Sequence, residues 1–329
     1  MVEKLVSIIV PIYNGSHYIP SLFIDLNKQH YKQFEVIFID DGSIDDTYSK
    51  LLSEKEKHKK TYNITVIHQE NSGVSAARNK GIKEAKGEYL CFVDVDDGIS
   101  EYYLSYMVKA INENGASLVF CKMSPNYLKK KDVYEVKTIG NSEVTLYRYL
   151  FHEFTSGASS LLVRSKILTD NNLLFEEGIK YYEDLHMVWR LIAYSDVIVE
   201  LNNKLYIYKK NKGSAMYNFN KERIRGILLI GSLNNFFCKI TPDFYPFFKK
   251  YAEARVAWSV LWQAVHFLNY NKFQHYLKAY NFIEKCELLN DYPQNYVALG
   301  SKIFIINKIL FYMVIKILYI FAKGLGYGR

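Results

Sequence analysis

Short apolar runs recur through the first hundred residues, each closed by proline, glycine or a carboxylate and separated by longer, charged amphipathic stretches. Leu5 to Val10 ends at Pro11, Phe34 to Ile39 ends at Asp40-Asp41-Gly42-Ser43, and Ile64 to His68 is a third run. The fourth, Tyr89 to Val93, leads straight into Asp94, Asp96 and Asp97 and then Gly98. Runs this short, rich in β-branched and aromatic residues, predict strands buried on both faces. Helices are predicted between them: one capped by Ser16 and reaching about Gln29, one opened by Asp45, Asp46 and Thr47, and one from Ser72 to Lys86. The alternation predicts an α/β fold with a mostly parallel, doubly wound sheet.

In such sheets ligands bind beyond the carboxyl ends of the strands. The Pro11–Gly15 loop, the Asp40–Ser43 loop and the acidic triplet all fall there. Carboxylates at the end of a buried strand need a cationic partner. A hard divalent cation sharing oxygens with a substrate phosphate suits them, while a solvated turn is the plainer alternative.

After Cys121 the pattern loosens, with a Lys-rich turn at Lys129–Lys131. A helix is predicted near Ser142–His152, an apolar run at Ala158–Val163, and a helix opened by Glu183-Asp184 and running through Arg190. Lys204 to Lys209 reads as a last short strand, and beyond Gly213 the pattern turns helical and aromatic. Three segments are expected: an α/β domain over 1–213, a helical domain over 214–300 and a separate helix within 301–329.

Composition changes this picture little, since 329 residues with 49% hydrophobic content exclude a disordered chain. Charge changes it more. From residue 214 onward 15 Lys and Arg face 6 Asp and Glu, a net of +9 that exceeds the whole-chain +8. The strand-bearing part is therefore near neutral, a poor footprint for nucleic acid, and the basic surface lies at the C-terminal end. Cys91, Cys121, Cys238 and Cys286 are widely scattered, which fits a reduced cytoplasmic setting. The absence of a basic-then-apolar leader after Met1 is in keeping with that setting.

Taken in order, Pro11-Ile-Tyr-Asn14, Ile39-Asp-Asp-Gly-Ser-Ile-Asp-Asp-Thr47, Asn71-Ser-Gly-Val-Ser-Ala-Ala-Arg-Asn79, Phe92-Val-Asp-Val-Asp-Asp97 and Glu183-Asp184 resemble a bacterial family 2 glycosyltransferase of the GT-A fold, capsular or exopolysaccharide type. The resemblance covers roughly residues 5–213. It implies an inverting, metal-dependent hexosyl or N-acetylhexosaminyl transfer from a UDP-sugar. Pro11, Tyr13, Asn14, Asp41, Asn71, Gly73, Arg78, Asp94, Asp96 and Asp97 match the donor-binding positions. Tyr13 matches the ring laid on uracil, and Asp41 the acceptor of its N–H. Arg78 matches a basic residue near base and diphosphate, where free amides at Ser72-Gly73 also suit an anion. Asp96 and Asp97 match ligands of Mn2+ or Mg2+, with Asp94 in support. Asp184 matches the general base, and Glu183 and Arg190 are carried over as contacts to sugar or acceptor. An acidic first turn also simply offsets a helix dipole, and Arg78 also reads as an ordinary ion pair. His186 stands where an apolar residue is usual. Lys209, Lys210 and Ser214 fall on a basic loop. The Gln-x-x-Arg-Trp pattern of processive members is absent, which implies one sugar per acceptor.

Ile303 to Ala322 approaches the roughly 20 apolar residues that span a bilayer. Lys302, Lys308, Lys316 and Lys323 interrupt it and, at about 100° per residue, gather on one side. A basic stripe on an apolar helix predicts a position in the membrane interface through residues 301–329, a core helix being the alternative. Trp258, Trp262, Phe267 and Tyr270 add aromatic surface upstream. Enzymes of the resembled class often extend a saccharide on a polyprenyl diphosphate, so a lipid-linked acceptor and peripheral attachment to the inner face of the cell membrane are expected, and loss of 301–329 is expected to leave the catalytic domain folded. The competing readings are a nucleotidyltransferase on a related fold and a catalytically dead protein binding membrane or nucleic acid.

Overall fold

The computed structural model describes residues 3–127, 133–154, 156–209, 219–278 and 280–324, with side chains through residue 321. Lys129–Lys131, Lys210, Ser214 and the Lys323 side chain lie outside that description. Among the described residues nine strands form one sheet: β1 (Val6–Ile12), β2 (Phe34–Asp41), β3 (Asn63–Gln69), β4 (Tyr89–Phe92), β5 (Gly98–Ile99), β6 (Leu118–Ser124), β7 (Val136–Gly140), β8 (Leu161–Arg164) and β9 (Ile198–Ile207). The order is β3-β2-β1-β4-β8-β6-β9-β5, with β7 also on β9.

The four strands read from the apolar runs sit together in order 3-2-1-4 and are parallel. Alternate residues serve opposite faces: Ile8, Val10, Val36 and Phe38 join one core, while Ile37, Ile39 and Ala77 join another. In β1, β2 and β4 both faces are covered, so they read as continuous apolar runs, while β3 at the sheet's end is mostly half-buried. The other half of the sheet is mixed, since β8 runs antiparallel to β4 and β6. Pro11 does not close β1 as expected. The β1–β4 ladder stops at Ile9 opposite Phe92 and at the Val93 N–H on the Ile9 carbonyl, so the N–H that proline lacks would have pointed past the last pair.

Other boundaries shift. The first helix is Ile19–Lys28; its N-cap is Tyr18, with a proline in its first turn and no Ser16 cap. The Ser16 N–H instead donates to Asp45. The third is Val74–Glu84, and Gly81 seats it on β1: a Cβ there would meet Ile9 Cγ2 at 2.4 Å. Helix Tyr103–Glu113 and strands β6 and β7 go unmarked in the sequence reading, and β9 begins six residues before Lys204.

The chain divides into two compact units, Met1–Leu146 with Phe154–Asn211, and Tyr147–Glu153 with Lys212–Arg329. The second is built on helix Tyr245–Phe267. The single helix expected over 303–322 is two, Asn295–Ile306 and Lys308–Gly324. Asn307 makes the break: its N–H closes the first on Ile303, and its Oδ1 accepts the Ile309 and Leu310 N–H groups that open the second. The lysine stripe dissolves with it. Lys302 sits on the other helix, and Lys316 turns inward, its Nζ donating to the carbonyls of Val265 and His266 at 2.9 Å. Phe304, Phe311 and Ile315 are buried, with the Phe311 ring 5.6 Å from Trp258. Deleting 301–329 would therefore uncover this packing. The face left to solvent is apolar: Ile306, Ile309, Leu310, Met313, Ile317, Leu318, Ile320 and Phe321. Among the described residues no helix is long and apolar enough to cross a membrane.

Candidate active site

The carboxyl ends of β1, β2 and β4 bring the expected loops to one edge. Asn14, itself left-handed at φ 50°, donates its N–H to Ser43 Oγ at 2.8 Å, and its Oδ1 accepts the Ile44 N–H at 2.9 Å. Its side chain is thus used in tying the first two loops together, while Tyr13 beside it stays 52% exposed. Pro11 pairs with Ile39 within the sheet. A Cβ on Gly15 would lie 3.0 Å from Val95 Cγ1, so the first loop approaches the acidic segment closely.

Asp41, at the end of β2, is buried. Oδ1 accepts from Ser72 N–H at 2.9 Å and Gln69 Nε2 at 2.8 Å, and Oδ2 accepts from Gly73 N–H at 2.8 Å. The Ser72 and Gly73 amides, expected to be free for an anion, are therefore spent on a carboxylate. Asn71 Nδ2 donates to the Asp41 carbonyl at 2.9 Å. Gly42 is required by this closeness, because at φ +73° a Cβ would stand 2.7 Å from Asn71 N. Three acceptor positions of the Asp41 carboxylate are taken and one remains. Asp40 is also buried; it accepts the Ser43 N–H at 3.2 Å and pairs with His68 Nδ1 at 2.7 Å.

The acidic segment after β4 divides its carboxylates. Asp94 Oδ1 lies 3.0 Å from Arg78 Nη2, and its Oδ2 accepts from Ser159 Oγ at 3.1 Å. Asp97 is buried, accepting Tyr206 OH at 2.8 Å and the Lys209 N–H at 2.9 Å. Burial, reinforced by Asp94, pushes its carboxyl up to about 7. Asp96, between them, is partly exposed. Among the described residues no three acidic, histidine or cysteine side chains converge to cage a metal unaided.

Arg78 gathers the remaining residues. Its Nη1 lies 2.5 Å from Asp184 Oδ1 and 3.5 Å from Glu183 Oε1, with its Cζ 5.1 Å from the Phe175 ring centre. Glu183 and Asp184 open helix Glu183–Ala193 directly after Tyr182, a non-glycine residue at φ 68°. Burial raises both acids; Asp184 beside it carries Glu183 to about 7, while Arg78 opposes the rise at each. Arg190 stands apart, donating to the Leu174 carbonyl at 2.6 Å and the His186 carbonyl at 3.3 Å. His186 is buried, and burial pushes it down to about 3. Ser159 and Tyr206 were not singled out from the sequence, and no motif marks them; Tyr206 arrives on β9, opposite Ile99, and Ser159 from the turn before β8.

Residues 7–167 match the family model described as glycosyl transferase family 2. That stretch, just under half of the chain, is a glycosyl transferase family 2 domain. An uncharacterized glycosyltransferase of Bacillus subtilis (strain 168), EpsJ, is 31% identical over 217 residues, 64% of this chain and 62% of its own length. GlyG, a glycosyltransferase of Streptococcus pneumoniae serotype 4, is 29% identical over 228 residues, 65% of this chain and 73% of its own. TarS of Staphylococcus aureus, a poly(ribitol-phosphate) β-N-acetylglucosaminyltransferase, is 30% identical over 220 residues, 64% of this chain but 36% of its own. The match thus spans under two thirds of EpsJ and about a third of TarS. Among solved structures, S. aureus TarS 1–349 in complex with UDP-GlcNAc aligns at a TM-score of 0.63 with 22% identity, covering 96% of this chain and 91% of that one. The mannosyltransferase PcManGT from Pyrobaculum calidifontis, in complex with GDP-Man and Mn2+, aligns at 0.59 with 16% identity, over 94% of this chain and 88% of its own. The chain therefore has the GT-A fold of these structures, a mixed, largely parallel sheet followed by a helical region.

Proposed function

We propose that this glycosyltransferase transfers one hexosyl or N-acetylhexosaminyl unit, with inversion, from a UDP-sugar to a saccharide acceptor carried on a polyprenyl diphosphate, in the building of a surface polysaccharide such as a capsule. The observation that carries the reading is the convergence, at one sheet edge, of an exposed Tyr13, an Asp41 carboxylate with one acceptor position left, and the acids Asp94, Asp96, Asp97, Glu183 and Asp184. Solved relatives add support, since TarS is described with UDP-GlcNAc and UDP.

In this reading Tyr13 lies against uracil and Asp41 accepts its ring N–H. Asp96 and Asp97 would hold Mn2+ or Mg2+, with Asp94 in support. Among the described residues too few carboxylates converge for a complete cage, which fits a hard cation that takes its remaining oxygens from water and substrate phosphates. When bound, such an ion neutralises charge developing on the departing UDP. The work left to the chain is orientation and one proton. Held near the anomeric carbon, the acceptor hydroxyl attacks while Asp184 takes its proton, and the alignment itself lowers the barrier. Glu183 meets a sugar hydroxyl. Arg190, held on two backbone carbonyls, would reach substrate only after leaving them.

Attachment to the membrane surface is part of this reading, supported by the apolar row on helix Lys308–Gly324 and the exposed Lys302 and Lys308 near its start. The test is UDP release from a panel of UDP-sugars with Mn2+, Mg2+ or chelator. Metal-dependent release from one of them is expected. No release from any, together with no UDP binding, contradicts the reading.

A further inference from the structure

Resting on the assignment of Asp184 as the base, we propose that Arg78 is a positioning residue that aims the Asp184 carboxylate from beneath the site and does not grip the donor diphosphate. The guanidinium has little surface to offer a phosphate, because its side chain is 4% exposed. Both terminal nitrogens are engaged, Nη1 by Asp184 and Glu183 and Nη2 by Asp94, and Nε is buried with no partner among the described residues. The Phe175 ring backs the cation. Gly81, one turn on, fixes the distance from helix to sheet and so the height at which Arg78 stands.

The fork therefore joins two elements far apart in sequence, the end of β4 through Asp94 and the start of helix Glu183–Ala193 through Asp184. A planar guanidinium suits this; an ammonium is a point charge and spans it less well. Three carboxylates around one buried cation repel one another if it is removed. Burial raises the Asp184 carboxyl, and Arg78 is the largest opposing influence. Without it the base holds its proton to higher pH. A diphosphate ligand would act differently, through donor affinity.

The test uses the full chain as Arg78→Met and Arg78→Lys, with UDP binding measured by calorimetry in Mn2+ and UDP release followed across pH. Expected are UDP affinity within about threefold of wild type and a kcat at least about 100-fold lower for the methionine variant, the size of a lost general base. Donor KM should change little, the acid limb of kcat should move up by about one pH unit or more, and lysine should restore part of both. A loss of UDP affinity of about tenfold or more with an unmoved acid limb overturns the proposal. If the methionine variant folds poorly, Arg78→Met/Asp184→Asn decides, because removing the uncompensated carboxylate should recover part of the lost Tm, and no recovery contradicts the clamp. The binding and melting arms need no turnover. Failure of every UDP-sugar would sink the proposed function while leaving Arg78 still decided.

Discussion

The Tyr206 hydroxyl donates to Asp97 Oδ2 at 2.8 Å and accepts the Asp94 N–H at 3.2 Å, so one ring on β9 pins both ends of the acidic segment after β4. Lys209, two residues past the end of β9, holds the other Asp97 oxygen through its backbone. Neither contact involves the parallel strands that define the rest of the site edge. The acidic segment is shaped by its own sequence and equally by a strand more than a hundred residues away.

Removing the Tyr206 hydroxyl leaves a buried carboxylate oxygen without its donor. Tyr206→Phe should lower unfolding free energy by about 1–3 kcal/mol, the cost of a stranded buried polar group. Denaturant titration measures it, and UDP binding in Mn2+ should weaken in parallel.

Two glycines beside Asp41 should respond unequally to alanine. Both are left-handed, Gly42 at φ +73° and Gly73 at φ +91°, but a Cβ on Gly73 meets nothing within 4 Å. Gly73→Ala should cost only the backbone strain, about 1–3 kcal/mol. Gly42→Ala also drives Asn71 off the Asp41 carbonyl. Calorimetry should find UDP binding lost in the second variant and kept in the first.

Glu183 makes stability depend on pH. Burial, then the neighbouring Asp184, lifts its carboxyl from 4.5 to about 7. Between those values the folded chain keeps a proton that the unfolded chain has released, so stability falls as pH rises through the window and levels above it. Melting temperatures should trace that decline, and Glu183→Gln should make it shallower.

On the C-terminal helix, Ile309, Ile317 and Phe321 are exposed, while Phe311 and Ile315 carry its buried packing. Ile309→Glu/Ile317→Glu/Phe321→Glu should keep the wild-type Tm and lose flotation with vesicles of phosphatidylglycerol and phosphatidylethanolamine. Flotation that survives the triple substitution excludes this face as the membrane contact.

The parallel half of the sheet was legible because strands covered on both faces must be apolar throughout, and Ile8, Val36, Ile37 and Leu90 leave no other reading. The mixed half was not. Strand β7 (Val136–Gly140) alternates half-buried and exposed residues in a polar stretch, and β9 contains Asn202, Asn203 and Lys204 midway, so neither shows an apolar run. The loops after β1, β2 and β4 were legible as neighbours, since they follow parallel strands that share one sheet, yet the hydrogen-bond partners within them were not. Nothing local to Arg78 announces that Asp184 lies across from it, and nothing near Ser72 announces that its amide faces Asp41. At the C-terminus the angular arithmetic assumed an unbroken helix. One asparagine able to cap in both directions undid it.

The central claim, that Asp184 handles the proton while the strand-end carboxylates hold the donor, is tested most directly by Asp184→Asn assayed twice on one preparation. Calorimetry with UDP and Mn2+ should give wild-type affinity, while UDP release from the UDP-sugar that the wild type turns over should fall by about 10²–10⁴-fold. Release that persists near the wild-type rate, or UDP affinity that is lost with the carboxylate, would contradict it.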